Sequence, residues 1–124
     1  MSYYYDSYAI LEFLASNEKY KKYFVEHKGI LTVLNLMEVS YGLLKHMRAK
    51  STVEDLQAFL PYVIGFDVPD IDVAMKLRLK LEKEEKLNIS YVDALGYYLA
   101  KKHGVLFLTG DKSFEDLENV EFIQ

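Results

Sequence analysis

Short apolar segments that favour strands alternate with helical segments along the whole chain, and this alternation most strongly limits the possible folds. The strand-like segments lie at 3–5, 30–33, 63–68, 105–108 and 120–123. Segments with helical spacing or helix-capping residues lie between them, at 8–15, 18–27, 34–47, 51–62, 69–86, 90–103 and 113–117. Such alternation predicts right-handed βαβ connections. We therefore predict a single domain, residues 1–124, with a three-layer α/β/α fold and a mostly parallel central sheet.

The composition narrows the class of protein. The chain has 124 residues, of which 51% are hydrophobic, so one domain can bury a core without disulfides or a structural metal. Cysteine is absent, which excludes thiol catalysis and thiolate metal sites and favours a reducing compartment, the cytoplasm. No apolar run approaches the roughly 18 residues of a membrane span, so we expect no contact with a membrane.

The charge distribution bears on nucleic-acid binding. A net charge of −4 argues against a protein that depends on a strongly basic surface. Basic residues nevertheless form two clusters that could contact phosphates, or that could simply be solvated helix faces. The first contains Lys19, Lys21, Lys22 and Lys28, and the second contains Lys45, His46, Arg48 and Lys50.

Four acidic residues occupy positions that favour one shared cleft. Asp6 and Asp111 directly follow predicted strands, and parallel sheets bind ligands at the carboxyl ends of their strands. Glu38 lies early in the helix after the second strand, and Asp93 lies in the first turn of a later helix. Each acid also has an ordinary alternative role as a helix cap, a capping-box partner of Ser90, a turn residue or an exposed helix residue.

Carboxylates gathered around one cleft predict a divalent metal. They repel one another unless a cation lies between them, and Mg²⁺ or Mn²⁺ prefers oxygen ligands. A metal-bound water is a stronger nucleophile, and a second ion can stabilise the leaving oxygen during attack on phosphorus. The four acids therefore predict a site that hydrolyses phosphodiesters with metal-activated water.

Four short motifs, in order along the chain, carry a resemblance to a known family. They are Asp6-Ser7 after a strand, Glu38 followed by Gly42, Ser90-Tyr91-Val92-Asp93-Ala94, and Thr109-Gly110-Asp111-Lys112-Ser113-Phe114. In these motifs the chain resembles PIN domains, and more narrowly the VapC-type toxin ribonucleases, over nearly its full length. The resemblance implies a Mg²⁺- or Mn²⁺-dependent endoribonuclease that acts on RNA. It also implies a homodimer, and a toxin that is inhibited by a small antitoxin protein.

The resemblance further implies roles for individual residues. The catalytic metal ligands, direct or through water, would be Asp6, Glu38, Asp93 and Asp111. Ser7 and Thr109 would support and orient these ligands, and Phe114 would pack behind the last turn.

Two other functions are open to a chain of this pattern. A non-catalytic RNA-binding or assembly module could keep the same fold, although the intact set of four acids argues against it. A phospho-accepting signalling domain has a similar size and layer order, but it needs an aspartate at the end of a mid-chain strand. The only candidate, Asp67, lies inside a predicted strand.

The aromatic residues and histidines point to ordinary roles. Tyr97 and Tyr98 lie on one predicted helix, where they could face a partner subunit or the core. The three histidines lack the paired helical spacing of a zinc site, and surface or capping roles are expected for them. They are His27, His46 and His103.

Overall fold

The computed structural model describes all residues, 1–124. A four-stranded sheet lies at its centre in the order β2-β1-β3-β4, and all neighbouring strands are parallel. The strands are β1 (Ser2–Tyr5), β2 (Lys28–Ile30), β3 (Leu106–Thr109) and β4 (Val120–Phe122). The helices are α1 (Ser7–Leu14), α2 (Glu18–Val25), α3 (Val33–His46), α4 (Val53–Phe59), α5 (Val68–Glu85) and α6 (Tyr91–Lys102). The predicted α/β class with a parallel sheet is confirmed.

Strand β1 separates two buried clusters, because successive side chains point to opposite faces of a sheet. Tyr3 and Tyr5 pack in the cluster formed with α1, α2 and α3, and Tyr4 packs on the other face with residues of α5 and α6. A strand of three tyrosines can be buried because the hydroxyls find partners: Tyr5, for example, donates to the Tyr23 carbonyl over 2.6 Å. The helices therefore cover both faces of the sheet.

The predicted strand at 63–68 is wrong. Only Val63 pairs, in an isolated parallel bridge with Leu31, and the chain then runs as an irregular segment into α5. Its apolar residues Ile64 and Phe66 pack against the buried cluster from this segment, so their hydrophobicity reflects burial without a strand. Asp67 is the N-cap of α5, with its side chain accepting from the Asp70 amide, and is not part of a strand.

Two predicted element boundaries are also corrected. The helix predicted at 51–62 begins later, because Thr52 is the N-cap of α4 and the Ser51 hydroxyl accepts from the Val53 amide. The second strand lies at Lys28–Ile30 and not at 30–33, since Thr32 is the N-cap of α3.

The helix predicted at 18–27 is α2, which is two residues shorter than predicted. That helix ends at Val25, and Gly29 lies within β2. A Cβ atom at Gly29 would lie 1.9 Å from Cε2 of Tyr5, so the Tyr5 ring occupies the space of a side chain. Gly104 follows α6 with a φ of 69°, a left-handed conformation that ends the helix and that glycine adopts without strain.

Tyr97 lies in the core and not at a partner surface. It is 2% exposed, its ring contacts Phe107 edge-on at 5.8 Å between centroids, and its hydroxyl donates to the Glu118 carbonyl over 2.7 Å. The half-buried Tyr98 donates to Asp70 on α5. Both tyrosines therefore hold α6 within the domain. None of the helices combines the length and apolar character that crossing a bilayer requires.

Candidate active site

Asp6 and Asp111 follow two neighbouring strands at the carboxyl edge of the sheet. Strands β1 and β3 pair in parallel with Tyr5 opposite Leu108, and the Asp6 amide donates to the Leu108 carbonyl over 3.3 Å. Both acids also cap helices: Asp6 accepts from the Ala9 amide at 2.7 Å, and Asp111 accepts from the amide of Ser113 at 2.9 Å. Asp6 and Asp111 therefore each cap a helix and also lie at the predicted site.

Glu38 reaches this edge from α3. The Ser7 hydroxyl, one residue after Asp6, donates to Oε1 of Glu38 over 2.6 Å. One turn later, α3 approaches α1 at Gly42, where a Cβ atom would lie 2.7 Å from Cδ1 of Leu11. Because Gly42 has no side chain, the two helices can approach closely. This approach brings Glu38 to the first turn of α1.

The carboxyl group of Asp93 is affected by the charges of two other acids, Glu38 and Asp111. Asp93 lies in the first turn of α6, and its amide donates to the hydroxyl of the N-cap Ser90 over 3.0 Å. Burial, together with the negative charges of Glu38 and Asp111, raises the pKa of Asp93 to about 6, against the lowering effect of the Ser90 hydroxyl. Residues from three separate parts of the chain therefore act on one carboxyl group.

Asp6 is the most buried of the four acids, with 2% of its surface exposed. Burial raises its pKa well above the ordinary value of 3.8, and the charges of Asp93 and Asp111 add to this rise. The hydroxyl of Thr109 and the Ala9 amide lower the pKa in opposition. The structure thus brings all four predicted acids into one region, where at least three of them repel one another.

A family model described as PIN domain matches residues 3–120 of the chain. The chain belongs to the PIN domain family. This match extends over nearly the whole sequence and contains all four acids of the site.

Solved structures share the fold of this PIN domain. A toxin–antitoxin complex from Klebsiella pneumoniae matches with a TM-score of 0.74 and 17% identity, over 95% of this chain and 94% of that one. VapBC2 from Rickettsia felis, bound to a DNA fragment from its promoter, matches with a TM-score of 0.72 and 19% identity, over 99% and 98%. PAE2754 from Pyrobaculum aerophilum matches with a TM-score of 0.67 and 18% identity, over 98% and 92%. No curated protein matches the sequence significantly.

The acids of the PIN domain suit a hard divalent cation by the chemistry of their oxygens. No group of three or more His, Cys, Asp or Glu side chains forms a ready-made metal cage. Mg²⁺ does not require one, since it is usually held by one or two carboxylates, waters and substrate phosphates. Part of the raised pKa of Asp6 and of Asp93 comes from repulsion by the neighbouring acids, which a cation would offset. The carboxylate oxygens present are ligands of the type that Mg²⁺ or Mn²⁺ prefers.

The predicted supporting residues make hydrogen bonds or packing contacts beside the acids, and a further buried polar residue, Asn35, contacts Ser7. The Thr109 hydroxyl accepts from the Asp111 amide over 3.0 Å, and Phe114 is fully buried behind the turn, as predicted. Asn35 was not predicted: it is 1% exposed and donates from Nδ2 to the Ser7 hydroxyl over 3.0 Å. The available signal was a polar residue one turn before Glu38 on an otherwise apolar helix face.

Proposed function

We propose that this PIN domain is a Mg²⁺- or Mn²⁺-dependent endoribonuclease and the toxin of a toxin–antitoxin pair. The observation that carries the proposal is the hydrogen bond of Ser7 to Glu38, which brings Glu38 to the start of α1 beside Asp6 in a chain that matches the PIN domain over residues 3–120. The raised pKa of Asp93, to which the charges of Glu38 and Asp111 contribute, agrees with this arrangement. Carboxyl groups that repel one another at the carboxyl end of a parallel sheet are where a cation and a phosphate would bind. We place the activity in the cytoplasm, where cellular RNA would be its substrate.

Each residue of the site has a defined part in this proposal. Asp6, Glu38, Asp93 and Asp111 would hold the cation, which when bound supplies Lewis-acid stabilisation of phosphoryl charge and a more acidic water. The Ser7 hydroxyl fixes one oxygen of Glu38, and the Ala9 amide fixes one oxygen of Asp6. Because these donors belong to the first turn of α1, the carboxylates keep their orientation while substrate binds.

Basic residues at the end of α3 are our candidates for contacts with the RNA backbone. Lys45, His46 and Arg48 are exposed and follow Glu38 by two to three helical turns. Such contacts position a nucleic acid without reading its sequence. They would also compensate locally for the negative net charge of the chain.

The toxin role is supported by fold similarity and by an exposed apolar groove. The groove lies between α3 and α4, with a volume of about 560 Å³. It is lined by Val33, Leu36, Met37, Ser40, Tyr41, Leu44, Leu56, Gln57 and Leu60. Apolar patches of this kind mark protein interfaces, and an amphipathic helix fills such a groove through anchors spaced three and four residues apart. We propose that an antitoxin helix packs here.

A homodimer is also part of the proposal. A second apolar depression of about 210 Å³ lies among α3, α5 and α6 and is lined only by hydrophobic residues, including Ile71, Met75 and Tyr91. Tyr91 and the nearby Val68 are largely exposed. Contact of this surface with a second copy would remove Tyr91 and Val68 from water. The molar mass in solution, measured by light scattering, tests whether the dimer forms.

Cleavage of a labelled single-stranded RNA tests the nuclease. The wild-type protein should cleave with Mg²⁺ or Mn²⁺ and stop with a chelator, and Asp6→Asn or Asp93→Asn should lower the rate about 100-fold or more. Asp72→Asn is the matched control, since Asp72 is an exposed acid paired with Lys76 on α5. Equal cleavage by all variants would indicate a contaminating nuclease. RNA binding without cleavage under any metal would favour the non-catalytic module.

A further inference from the structure

Asn35 is a buried polar residue whose contacts lead to the acidic site. We infer that Asn35 is a positioning residue: it turns the Ser7 hydroxyl toward Glu38 and thereby fixes which oxygen of Glu38 is available to a ligand. The inference rests on the proposed function for its catalytic consequence. Its structural content follows from the hydrogen bonds alone.

The orientation of the Asn35 amide is determined by a main-chain donor. The Thr32 N–H donates to Oδ1 of Asn35 over 3.1 Å, and a main-chain N–H can act only as a donor. The Tyr4 hydroxyl contacts the same oxygen. Because Oδ1 must face these two donors, Nδ2 must face the Ser7 hydroxyl, which lies 3.0 Å away.

The direction of the next hydrogen bond follows from the first. Nδ2 of Asn35 has no lone pair to accept with, so the Ser7 oxygen accepts from it. Ser7 has a single hydroxyl proton, which it then donates to Oε1 of Glu38 over 2.6 Å. The protein therefore occupies Oε1 and leaves Oε2 as the Glu38 oxygen without a protein donor.

The hydrogen bonds from Asn35 through Ser7 connect buried side chains. Asn35, Ser7 and Tyr4 are all buried, and Asn35 is 1% exposed. If the Asn35 donor were removed, the Ser7 hydroxyl would lose the partner that fixes its direction and could rotate and donate elsewhere. Glu38 would then lose the fixed orientation that the site requires.

A purely structural role for Asn35 makes a different prediction. Asn35 is the third residue of α3, and its contact with the Thr32 N–H helps to begin that helix. Loss of this contact lowers stability whether or not Ser7 is present. Only positioning of Glu38 through Ser7 makes the effect of Asn35 on the site depend on Ser7.

A double-mutant cycle separates the two roles. We would compare Asn35→Ala, Ser7→Ala and the double variant for kcat and KM on labelled RNA, for Mn²⁺ affinity, and for the free energy of unfolding in urea. Each single variant should lower kcat or Mn²⁺ affinity about 10–100-fold, and the double variant should be no worse than Ser7→Ala. Changes that multiply in the double variant, or an Asn35→Ala variant within about twofold of wild type, would overturn the inference.

Asn35→Asp serves where Asn35→Ala does not fold. It retains the shape of the side chain and an acceptor for Thr32 and Tyr4, and it replaces the Nδ2 donor by a carboxyl oxygen, which when ionised adds a negative charge and accepts from the Ser7 hydroxyl in place of Glu38. It should lose kcat or Mn²⁺ affinity as Asn35→Ala does. Wild-type values for both quantities would show that the donor to Ser7 has no role.

The side-chain amide signals of Asn35 in NMR test the chain of hydrogen bonds without any functional assay. Both Ser7→Ala and Glu38→Gln should shift these signals, and unchanged signals would overturn the inference. If the signals shift while the wild-type protein cleaves no RNA, the proposed function fails and the positioning of Glu38 stands. If RNA is cleaved and the signals do not respond, the positioning role fails alone.

Discussion

The Ser7 hydroxyl donates to Oε1 of Glu38, a residue 31 positions further along the chain, over 2.6 Å. This hydrogen bond fastens α3 to the first turn of α1 at the edge of the sheet where Asp6 and Asp111 lie. Glu38 thereby comes near enough to Asp93 for its charge to raise the Asp93 pKa. The hydrogen bond from Ser7 to Glu38 therefore brings the acidic residue of α3 towards the other three acids.

The pKa of Asp93 should respond to the charge of Glu38. In Glu38→Gln, the neutral amide oxygen can still accept from Ser7, but one of the negative charges that raise the Asp93 pKa is gone. We expect the pKa of Asp93, followed by carbon-detected NMR of its carboxyl group, to fall below about 6. Asp72→Asn should leave it unchanged, and an unchanged value in Glu38→Gln would show that the two acids do not converge.

Asp93→Asn should stabilise the metal-free protein at neutral pH while it abolishes activity. The folded-state pKa of about 6 lies above the ordinary 3.8, so the folded protein binds more protons than the unfolded chain between these values. The stability of the wild type therefore falls as pH rises from about 4 to above 6. At pH 7.5, removal of the Asp93 charge should raise the free energy of unfolding by about 1–2 kcal/mol. This figure is net of the favourable interaction between the charge and the N-terminus of α6, which the variant loses.

The measurement is the free energy of unfolding of wild type and Asp93→Asn from pH 4 to pH 8, with a chelator present. The two curves should separate as pH rises through 6 and approach each other near pH 4. A constant difference across this range would contradict the assignment of the raised pKa to Asp93.

Asp70 should behave in the opposite sense. The ammonium group of Lys102, 2.8 Å away, and the Asp67 amide lower the pKa of Asp70 to about 2. The stability from this group is present above the ordinary pKa of 3.8 and is lost as pH falls through about 2. Asp70→Asn should therefore be less stable than wild type at pH 7, and the difference should vanish near pH 2. The exposed Asp72→Asn variant should show almost no difference at either pH.

Gly96 should be required for the packing of α6 against β1. A Cβ atom there would lie 2.7 Å from Cε1 of Tyr4, a fully buried ring that cannot easily move aside. Gly96→Ala should lower the free energy of unfolding by about 1–2 kcal/mol, because overpacking exceeds the gain in helix propensity. Gly65→Ala, where the added atom meets nothing within 4 Å, should be neutral or slightly stabilising in the same urea titrations. Equal stability of the two variants would contradict the tight contact.

Part of the candidate site could be predicted from sequence, because two of its acids follow strands and a third lies in the first turn of a helix. Asp6 and Asp111 come after apolar strand segments, and the parallel pairing of β1 and β3 places them together. The motifs around Glu38 and Asp93 supplied the other two positions. These signals are local in the sequence, so a single chain reveals them.

The remaining features depend on tertiary contacts. The apolar run at 64–66 reads as a strand, although it is buried by packing without pairing. Tyr97 has the same sequence appearance whether its ring faces a partner or Phe107. The role of Asn35 arises from Tyr4 and Ser7, which lie about 30 residues away in the chain. The spacing of the acids along the sequence also does not show how close their carboxyl groups come. In the structure, no three of them form a group that could hold a metal ion by itself.

Binding of Mn²⁺ tests the central claim most directly, because free Mn²⁺ can be counted by electron paramagnetic resonance without substrate. The wild-type protein should bind at least one ion. Asp6→Asn and Asp93→Asn should weaken the affinity about 10–100-fold, whereas Asp72→Asn should match the wild type. Equal Mn²⁺ binding by all four proteins, or no binding by the wild type at millimolar Mn²⁺, would contradict the account.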